Sequence, residues 1–346
     1  MNLTKILIYW YSEGKRSLPW RETQNPYHIW LSEIILQQTQ VKQGLPYYEK
    51  FVNNFPSVFH LSDAKEEQVL KLWQGLGYYS RARNLHYTAK YIVKELNGVF
   101  PSTYKDLLKL KGVGDYTASA IASICFNEAT AVVDGNVYRV LSRYYGINTP
   151  INSTQGVKTF KDLAQSLLPH KNIGDYNQAI MEFGAIQCKP KNPNCGYCPL
   201  QSSCIAFNKN CINQLPVKIN KTKISKKYFN FIVFISADEK TILQQRTSKG
   251  IWQNLYQFPL IETHKGLLEN DFESNDDVKS ILNGTDYTFS LYNEKEIVHK
   301  LSHQHLFTKF WIVNVDQLPQ KGLNVSEIAS LPVPKLIGNF VDEFNF

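Results

Sequence analysis

The sequence predicts two domains: a mainly α-helical N-terminal domain and a C-terminal domain built around β-strands. The chain has 346 residues, more than a single hydrophobic core usually serves. Up to about residue 206, apolar residues recur at three- and four-residue intervals between glycines and prolines, as in amphipathic helices. From residue 228 onward, runs rich in β-branched and aromatic residues replace this pattern.

Helical periodicity marks six segments of the first domain: residues 27–42, 66–74, 80–96, 116–126, 135–145 and 156–168. Residues 207–227 are rich in lysine and contain Pro216, which predicts an extended linker. Strands are predicted at 229–237, 241–247 and 305–315. The acidic, polar stretch 262–280 is expected to be a mobile loop.

The net charge of +8 is divided unevenly along the chain. Residues 228–346 contain 10 Lys and Arg against 15 Asp and Glu, a net charge of −5, whereas residues 1–227 contain 28 against 15, a net charge of +13. A domain this basic favours a polyanionic partner, nucleic acid first. A generally solvated basic surface is the alternative, and charge alone does not distinguish the two.

Four of the six cysteines, Cys188, Cys195, Cys198 and Cys204, follow the spacing C-x6-C-x2-C-x5-C. Four thiolates this close in sequence can hold an iron–sulfur cluster or a structural zinc ion. Zinc sites more often pair two C-x2-C elements, and here there is one, so the spacing favours a cluster without excluding zinc. Two disulfides are disfavoured, because a long chain with few cysteines is not a disulfide scaffold.

The remaining thiols, Cys125 and Cys211, are expected to be a buried apolar thiol and a linker thiol. The N-terminus lacks a signal-peptide cleavage pattern, and no apolar run reaches membrane-spanning length. With reduced thiols, these features predict a cytoplasmic protein.

Glu33 lies in a segment whose periodic positions are otherwise apolar, with Ile29, Trp30 and Leu36 on the same helical face. Burial there would raise the pKa of its carboxyl and make it a general acid near neutral pH. A glutamate on the solvated face of the helix explains the periodicity equally well.

Asp134 follows an apolar run and precedes the amphipathic segment 135–145, so its simplest interpretation is a helix N-cap. Helix amides and the helix dipole would then keep the carboxylate ionised, which suits it to stabilise a cationic transition state. Two carboxyls whose surroundings separate their pKa values are a common basis for acid–base catalysis.

The sequence LKGVGD at 110–115 connects two short predicted helices, the first started by Ser102 or Thr103. Gly112 and Gly114 permit a tight turn that directs several N–H groups to one point beside a helix N-terminus, where a phosphate can bind. A plain helix–helix turn also uses glycine, but a position in the basic half of the chain favours the phosphate site.

Together these motifs resemble the helix-hairpin-helix DNA glycosylases that carry a [4Fe–4S] cluster, and among them the MutY family of adenine DNA glycosylases. The resemblance covers nearly the whole chain and preserves motif order and spacing. Besides the cysteine motif, it rests on LPWRETQNPYHIWLSEIILQQTQV (18–41), WQGLGYYSRARNL (73–85), LKGVGDYTASAIAS (110–123) and VVDGNVYRVLSR (132–143). The resemblance implies that the four cysteines hold an iron–sulfur cluster rather than a zinc ion.

The resemblance implies a base-excision repair enzyme that removes adenine mispaired with 8-oxoguanine or guanine from duplex DNA. Glu33 would protonate N7 of the extruded adenine, and Asp134 would stabilise the oxocarbenium-like sugar, in a scheme related to two-carboxylate glycosidases. Tyr116 and Asn136 match supporting active-site positions. Bifunctional relatives carry a Schiff-base lysine where Tyr116 stands, so this chain is expected to be monofunctional and to leave an abasic site.

Excision requires prior extrusion of the base. The positions that match the family's adenine pocket are Arg16, Leu18, Trp20, Arg21, Val41 and Gln178. Those that match the family's contacts to the gap or the opposite base are Gln38, Thr39, Leu76 and Tyr78. Tyr78 suits a wedge between stacked bases. Without the family match, core packing would be the simpler interpretation of these apolar and aromatic residues.

The second domain resembles the family's MutT-like (Nudix) α+β module, most clearly at RTSKGIWQNLYQFP (246–259). It lacks the glutamate-dense Mg²⁺ helix of MutT hydrolases, so we expect recognition of 8-oxoguanine on the opposite strand rather than hydrolysis. The family's Phe-Ser-His motif is Leu301-Ser302-His303 here, which keeps the polar groups and loses the aromatic ring. Metal binding by the strand histidines is a disfavoured alternative.

The predicted architecture is a helical glycosylase domain at 1–206, with the hairpin at about 103–126 and the cluster loop at 188–204, a linker at 207–227 and an 8-oxoguanine recognition domain at 228–346. In the cluster loop, Lys189 and Lys191 are expected to meet DNA phosphates. We expect a monomer whose DNA binding places it at the nucleoid.

Three hypotheses remain at this point. The first is a monofunctional adenine glycosylase, and the second is a bifunctional pyrimidine-lesion glycosylase of the endonuclease III type, which Tyr116 and the long second domain oppose. The third is a non-catalytic DNA-binding or redox protein, in which Glu33 and Asp134 would be idle.

Overall fold

Two units make up the computed structural model, which describes residues 3–219, 224–282, 284–344 and 346. The first unit comprises Met1–Asp63 and Asn84–Asn220, and the second comprises Ala64–Arg83 and Lys221–Phe346. The segment 64–83, which the sequence assigns to the helical domain, therefore groups with the C-terminal unit. The predicted domain boundaries at 206 and 228 stay a prediction.

Within the described residues, the helices of the chain are α1 Leu3–Gly14, α2 Pro26–Leu36, α3 Val41–Asn54, α4 Val58–Asp63, α5 Glu66–Leu72, α6 Ser80–Leu96, α7 Tyr104–Leu107, α8 Asp115–Phe126, α9 Gly135–Tyr145, α10 Thr154–Ser166, α11 Ile173–Glu182, α12 Ile205–Asn208, α13 Glu269–Phe272, α14 Asp276–Leu282 and α15 Lys335–Glu343. Short 3₁₀ turns lie at Pro19–Arg21, Cys195–Tyr197, Gln201–Ser203, Ile212–Gln214 and Val325–Ser330, and a π-helical turn continues α11 at Phe183–Gln187.

The helix predictions agree with the structure except at one boundary. Helices α6 and α9 have the predicted bounds, and the remaining predicted helices shift by one or two residues. The predicted helix 27–42 is wrong at its C-terminal end, because α2 stops at Leu36 and Gln38 has a φ of 55°, which an α-helix does not accept. Helices α1, α3 and α11 were not predicted; Pro46 inside α3 weakens its signal.

The core of the first unit forms where α11 packs against α1, α8 and α9. Leu7, Val137, Phe160 and Ala179 are fully buried there. Helix α2 packs against α8 and α3 and buries Trp30. Because α2, α8, α9 and α11 meet, side chains far apart in sequence converge.

The strands of the second unit are β1 Ser225–Ser236, β2 Lys240–Thr241, β3 Gln244–Gln245, β4 Tyr256–Gln257, β5 Leu260–Thr263, β6 Tyr287–Leu291, β7 Ile297–Lys300, β8 Gln304–Val315 and β9 Leu323–Asn324. β1 and β8 run parallel, with Phe231 opposite Phe310; β5 pairs antiparallel with β1, and β6 and β7 pair antiparallel with β8. Phe340 of α15 stacks on Phe310 with ring centroids 4.1 Å apart. The predicted α+β class is confirmed.

Hydrogen bonds explain why the segment 64–83 belongs to this unit. Asn254 Nδ2 donates to Glu66 Oε1 at 2.6 Å, and the Tyr256 hydroxyl donates to Glu67 Oε1 at 2.6 Å. Lys71 Nζ donates to the Leu331 carbonyl at 3.0 Å.

Two predictions for the C-terminal domain need correction. The predicted strand 241–247 is two short pieces, β2 and β3. The stretch 262–280 is wrong as a mobile loop, because it contains α13 and most of α14 and buries Phe272 and Val278 in the core. Four of its six acidic residues, Glu269, Asp271, Asp276 and Asp277, lie in the first turns of these helices, where a negative charge stabilises the helix N-terminus.

The predicted linker 207–227 is not extended in its first part. The Ile151 N–H donates to the Val217 carbonyl at 3.0 Å, which ties this stretch to the first unit. Residues 220–223 of the predicted linker lie outside the described residues, and β1 begins at Ser225.

In the part of the chain that the structure describes, no helix has both the length and the apolarity required to cross a bilayer.

Candidate active site

One cavity of about 160 Å³ in the first unit collects most of the residues predicted to catalyse the reaction or bind the bases. The helices contribute Glu33 from α2, Tyr116 from α8 and Gln178 from α11, and Asp134 precedes α9. The predicted residues that line it are Glu33, Asp134, Tyr116, Asn136, Arg16, Leu18, Trp20, Arg21, Thr39, Val41 and Gln178. The lining residues that were not predicted as site residues are Ile29, Leu36, Ile124, Met181, Glu182 and Ala185.

Glu33 is buried, with 8% of its surface exposed, which decides the question that its periodicity left open. Loss of hydration raises the pKa of its carboxyl to about 7. The hydrogen bond with Tyr116 and the charge of Arg21 oppose the rise, and the charge of Asp134 adds to it. Roughly half of the Glu33 carboxyls therefore carry a proton near neutral pH.

Asp134 is the N-cap of α9, as predicted. Its Oδ1 accepts from the N–H groups of Asn136 at 2.9 Å and Val137 at 2.8 Å, and its Oδ2 accepts from Asn136 Nδ2 at 2.6 Å. Burial raises the pKa of Asp134, while these donors and the charge of Arg139 lower it. The helix amides lower the pKa of Asp134, as expected, but burial raises it by more, so the pKa lies above its ordinary value.

Tyr116 lines the same cavity as the two carboxyls. It forms a hydrogen bond with Glu33, and its hydroxyl is 3.6 Å from Met181 Sδ. Burial and the nearby charges of Glu33 and Asp134 raise the pKa of Tyr116 well above its ordinary value. The phenol therefore stays protonated near neutral pH.

Glu182 fixes the arginine side of the cavity and was missed in the sequence. It is buried, and its carboxylate accepts from Arg16 Nε at 2.7 Å and from Arg21 at 3.0 and 2.6 Å. Burial by itself would raise the pKa of Glu182, but the hydrogen bonds from both arginines lower it to about 2. Since α11 was not predicted, nothing in the sequence placed Glu182 opposite these arginines.

Two known families match the two halves of the chain. Residues 31–166 match the family model of the HhH-GPD superfamily base excision DNA repair protein, and residues 230–343 match the NUDIX domain model. The chain is 37% identical over 340 residues to the adenine DNA glycosylase of Buchnera aphidicola subsp. Baizongia pistaciae (strain Bp), covering 95% of this chain and 93% of that protein. The chain belongs to the adenine DNA glycosylase family.

Solved structures support the fold of this glycosylase. A thermostable thymine-DNA glycosylase has a TM-score of 0.55 and 30% identity, covering 60% of this chain and 95% of that one. Endonuclease III in a non-covalent complex with DNA has a TM-score of 0.52 and 20% identity over 60% of this chain and 94% of that one, which shows a shared fold alone. Membership of the adenine DNA glycosylase family and the match to the base excision DNA repair model show that the glycosylase acts on DNA in base-excision repair.

The predicted hairpin of the glycosylase is present between α7 and α8. Thr103 caps α7 through its side chain, and Gly114 is the N-cap of α8. Gly112 has a φ of +81°, and a Cβ there would lie 2.8 Å from Asn84 Cβ, so the turn requires glycine. The Lys111 carbonyl accepts from Thr88 Oγ1 at 2.8 Å, which fixes the turn to α6.

The four predicted ligand cysteines line one small cavity of about 30 Å³ in the glycosylase. All six cysteines are free thiols, so the disulfide alternative is wrong. Over the described residues, no three His, Cys, Asp or Glu side chains are arranged to hold a single metal ion. The donor set is four thiols in one cavity, which suits a thiolate-ligated cluster.

Two buried arginines of α9 connect the cysteine segment to the rest of the glycosylase. Arg143 donates to the carbonyls of Ile212, Leu215 and Lys189 at 2.7 to 3.1 Å, and it lies 3.5 Å from Cys188 Sγ. Arg139 donates to the carbonyls of Cys188 at 2.7 Å and Gly184 at 2.6 Å.

The same Arg139 donates to Asn136 Oδ1 at 2.8 Å, and Asn136 in turn donates to Asp134. Hydrogen bonds thus run without interruption from Asp134 to the backbone of Cys188. Neither arginine was identified in the sequence, because a helical arginine is ordinarily interpreted as exposed.

A second cavity of the glycosylase, about 490 Å³, lies within the C-terminal unit. The predicted residues that it contains are Leu76, Tyr78, Leu301, Ser302 and His303. Trp252 and His299 also line it, with ring centroids 5.9 Å apart. Tyr78 has a φ of 48°, in the left-handed region that few residues other than glycine adopt, and it is 44% exposed, so it is not a core residue.

Three further predicted residues lie elsewhere in the glycosylase. Gln38 lies outside both of these cavities, in the break between α2 and α3. Lys189 and Lys191 are exposed in the cysteine segment.

Proposed function

We propose that the chain is a monofunctional adenine DNA glycosylase that removes adenine mispaired with 8-oxoguanine or guanine and leaves an abasic site. The observation that carries this proposal is that Glu33 and Asp134 line the same cavity, with Tyr116 hydrogen-bonded to Glu33. A non-catalytic DNA-binding protein would have no use for two carboxyls in the same cavity.

Glu33 acts as the general acid. Its raised pKa leaves a substantial protonated fraction at neutral pH, and proton donation to N7 of adenine converts the base into a neutral leaving group. The hydrogen bond from Tyr116 orients the Glu33 carboxyl. Cleavage of the glycosidic bond then leaves positive charge on the sugar.

Asp134 stabilises that oxocarbenium-like sugar. Its carboxylate is fixed by three N–H donors from Asn136 and Val137, so little reorganisation is needed as the charge develops. The Arg16–Glu182–Arg21 cluster holds the cavity wall that faces the adenine. Water completes the hydrolysis.

Tyr116 supports a reaction without a lyase step. A bifunctional glycosylase needs an amine here to attack C1′ of the sugar, and a phenol with a raised pKa supplies neither an amine nor a ready nucleophile. A reaction of the endonuclease III type is therefore not proposed.

The second cavity is proposed to receive the base opposite adenine. Its size and its combination of apolar walls with Ser302 and His303 suit a planar base with polar edges. Tyr78 is proposed as the side chain that enters the duplex, because it is aromatic and exposed. Phosphates are proposed to bind at Gly112 and Gly114 and at Lys189 and Lys191.

The cofactor is proposed to be a [4Fe–4S] cluster held by Cys188, Cys195, Cys198 and Cys204. A cluster with four thiolate ligands has no open coordination position, so it supplies structure to this segment rather than a reaction step. The catalytic steps stay with Glu33 and Asp134.

The proposed activity is tested with a labelled duplex that contains adenine opposite 8-oxoguanine or opposite guanine. We expect strand breaks only after alkali treatment, because hydrolysis leaves an alkali-sensitive abasic site, and we expect both duplexes to be cleaved. Breaks without alkali would show a lyase and overturn the monofunctional proposal. Binding without breaks under either condition would support the non-catalytic alternative.

Replacement of Cys198 with serine should remove the iron. We expect the purified Cys198→Ser variant to lose the visible absorption of the cluster and to melt at a lower temperature, because a thiolate ligand is lost. Cys211→Ser is the matched control, since Cys211 lies outside the cysteine cavity and should retain full iron content. Equal iron content in both variants would contradict the proposed ligand set.

A further inference from the structure

Helix α8, which follows the hairpin, begins with an acidic residue. Gly114 caps this helix without a side-chain hydrogen bond, and Asp115 is its first residue. The first N–H groups of a helix have no intrahelical partners and attract anions. An unpaired carboxylate in the first turn would repel a DNA phosphate that approaches those N–H groups.

Two side chains from other elements hold the Asp115 carboxylate. Lys161 of α10 forms an ion pair with Asp115 Oδ1, and the hydroxyl of Tyr104 on α7 donates to the same oxygen. Lys161 Nζ also donates to the Tyr104 hydroxyl at 3.1 Å and lies 5.2 Å from the centre of the Tyr104 ring. The three side chains form a closed triangle of contacts beside the hairpin.

The triangle is partly open to solvent, with 41% of the Lys161 side chain and 48% of the Asp115 side chain exposed. An ion pair this exposed contributes little to folding stability. The net charge of the pair nevertheless affects a phosphate at the start of α8, because electrostatic interactions extend over about 10 Å at moderate salt.

We propose that Lys161 and Tyr104 are positioning residues for DNA binding, which neutralise Asp115 and hold its carboxylate away from the phosphate at the hairpin. This inference rests on the proposed function in one respect, namely that a DNA phosphate binds at the hairpin. Lys161 acts through Asp115 and makes no direct contact with the phosphate. Removal of Lys161 leaves one uncompensated negative charge, and removal of both charges restores neutrality.

A double-mutant cycle tests the proposal. The dissociation constant is measured over a range of salt concentrations for the intact protein, Lys161→Met, Asp115→Asn and the double variant. The probe is a duplex with a cleavage-resistant 2′-fluoro-deoxyadenosine opposite 8-oxoguanine. Lys161→Met should weaken binding about fivefold, which corresponds to one charge at a helix terminus. The double variant should return to the affinity and the salt dependence of the intact protein.

The result that overturns the proposal is a double variant as weak as Lys161→Met, because Lys161 would then contact phosphate directly. Lys158→Met is the matched control, because it removes one exposed positive charge from the same helix. Adding Asp115→Asn to Lys158→Met should not restore DNA affinity, since Lys158 does not pair with Asp115. Lys158→Met should also keep the single-turnover excision rate at saturating enzyme, since Lys158 lies outside the catalytic cavity.

Failure of this inference is distinguishable from failure of the proposed function. If the intact protein excises adenine and the cycle shows no rescue, only the inference fails. If the intact protein neither binds the duplex nor excises adenine, the proposed function fails and the inference fails with it. Melting temperatures within a few degrees of each other confirm that the variants are folded.

Discussion

Replacing Glu33 with glutamine should reduce single-turnover excision of adenine about a thousandfold while leaving DNA affinity within a few fold of the original value. Glutamine keeps the shape of the side chain and removes the transferable proton, and general acid catalysis by one residue contributes about 10²- to 10⁴-fold. The measurement is the excision rate with excess enzyme on a duplex with adenine opposite 8-oxoguanine.

Stability gives an independent signature of the same residue. The pKa of Glu33 is raised from its ordinary 4.5 to about 7, so protonation of this carboxyl stabilises the folded protein. The contribution is fully present below about pH 4.5 and is lost as the pH rises through 7. Glu33→Gln should therefore melt at a higher temperature than the intact protein at pH 8, and the difference should shrink towards pH 4. A variant that kept the normal excision rate would show that the assigned acid is wrong.

The pH dependence of the intact enzyme follows from the same pKa. Because the protonated form of Glu33 is the donor, the single-turnover rate should fall by about tenfold per pH unit above pH 8 and should level off below about pH 6. The profile of Glu33→Gln should be flat over that range. A rate that rises with pH across this window would contradict an acid role.

Replacing Asp134 with asparagine should reduce excision by about a hundredfold to a thousandfold, the usual effect of removing one preorganised group that stabilises transition-state charge. Asparagine is as good an N-cap as aspartate, so α9 should keep its cap. One hydrogen bond is lost, because the new amide would meet the Asn136 amide where Asp134 Oδ2 now accepts. The measurement is again single-turnover excision, with the melting temperature determined in parallel.

Ser153→Ala is the matched control for this second prediction. Ser153 caps α10 by accepting from the Gly156 N–H, and it lies outside the catalytic cavity. Its loss should cost about 1 kcal/mol of stability and leave excision unchanged. If Asp134→Asn lowered stability as Ser153→Ala does and left the excision rate intact, Asp134 would be a structural cap only.

Local patterns account for the elements that were predicted well. The helical segments 80–96 and 135–145 have the predicted bounds, because their apolar periodicity is regular, and the second also has its predicted N-cap, Asp134. The long strands at 229–237 and 305–315 correspond to β1 and β8, since both carry continuous apolar runs suited to the centre of a sheet. The stretch 262–280 was wrong because Phe272 and Val278 are too widely spaced among acidic residues to indicate burial.

The sequence by itself determined the family and the fold class, and it predicted the hairpin glycines, Glu33, Asp134 and the four cysteines as site residues. These depend on residue type and local spacing, which a sequence displays directly. Only the tertiary structure decided that Glu33 is buried with a pKa near 7 rather than solvated, because that depends on side chains from α8 and α9. It also decided that Glu182 pairs with Arg16 and that Lys161 reaches Asp115, since such contacts join residues far apart in sequence that only packing brings within hydrogen-bonding distance.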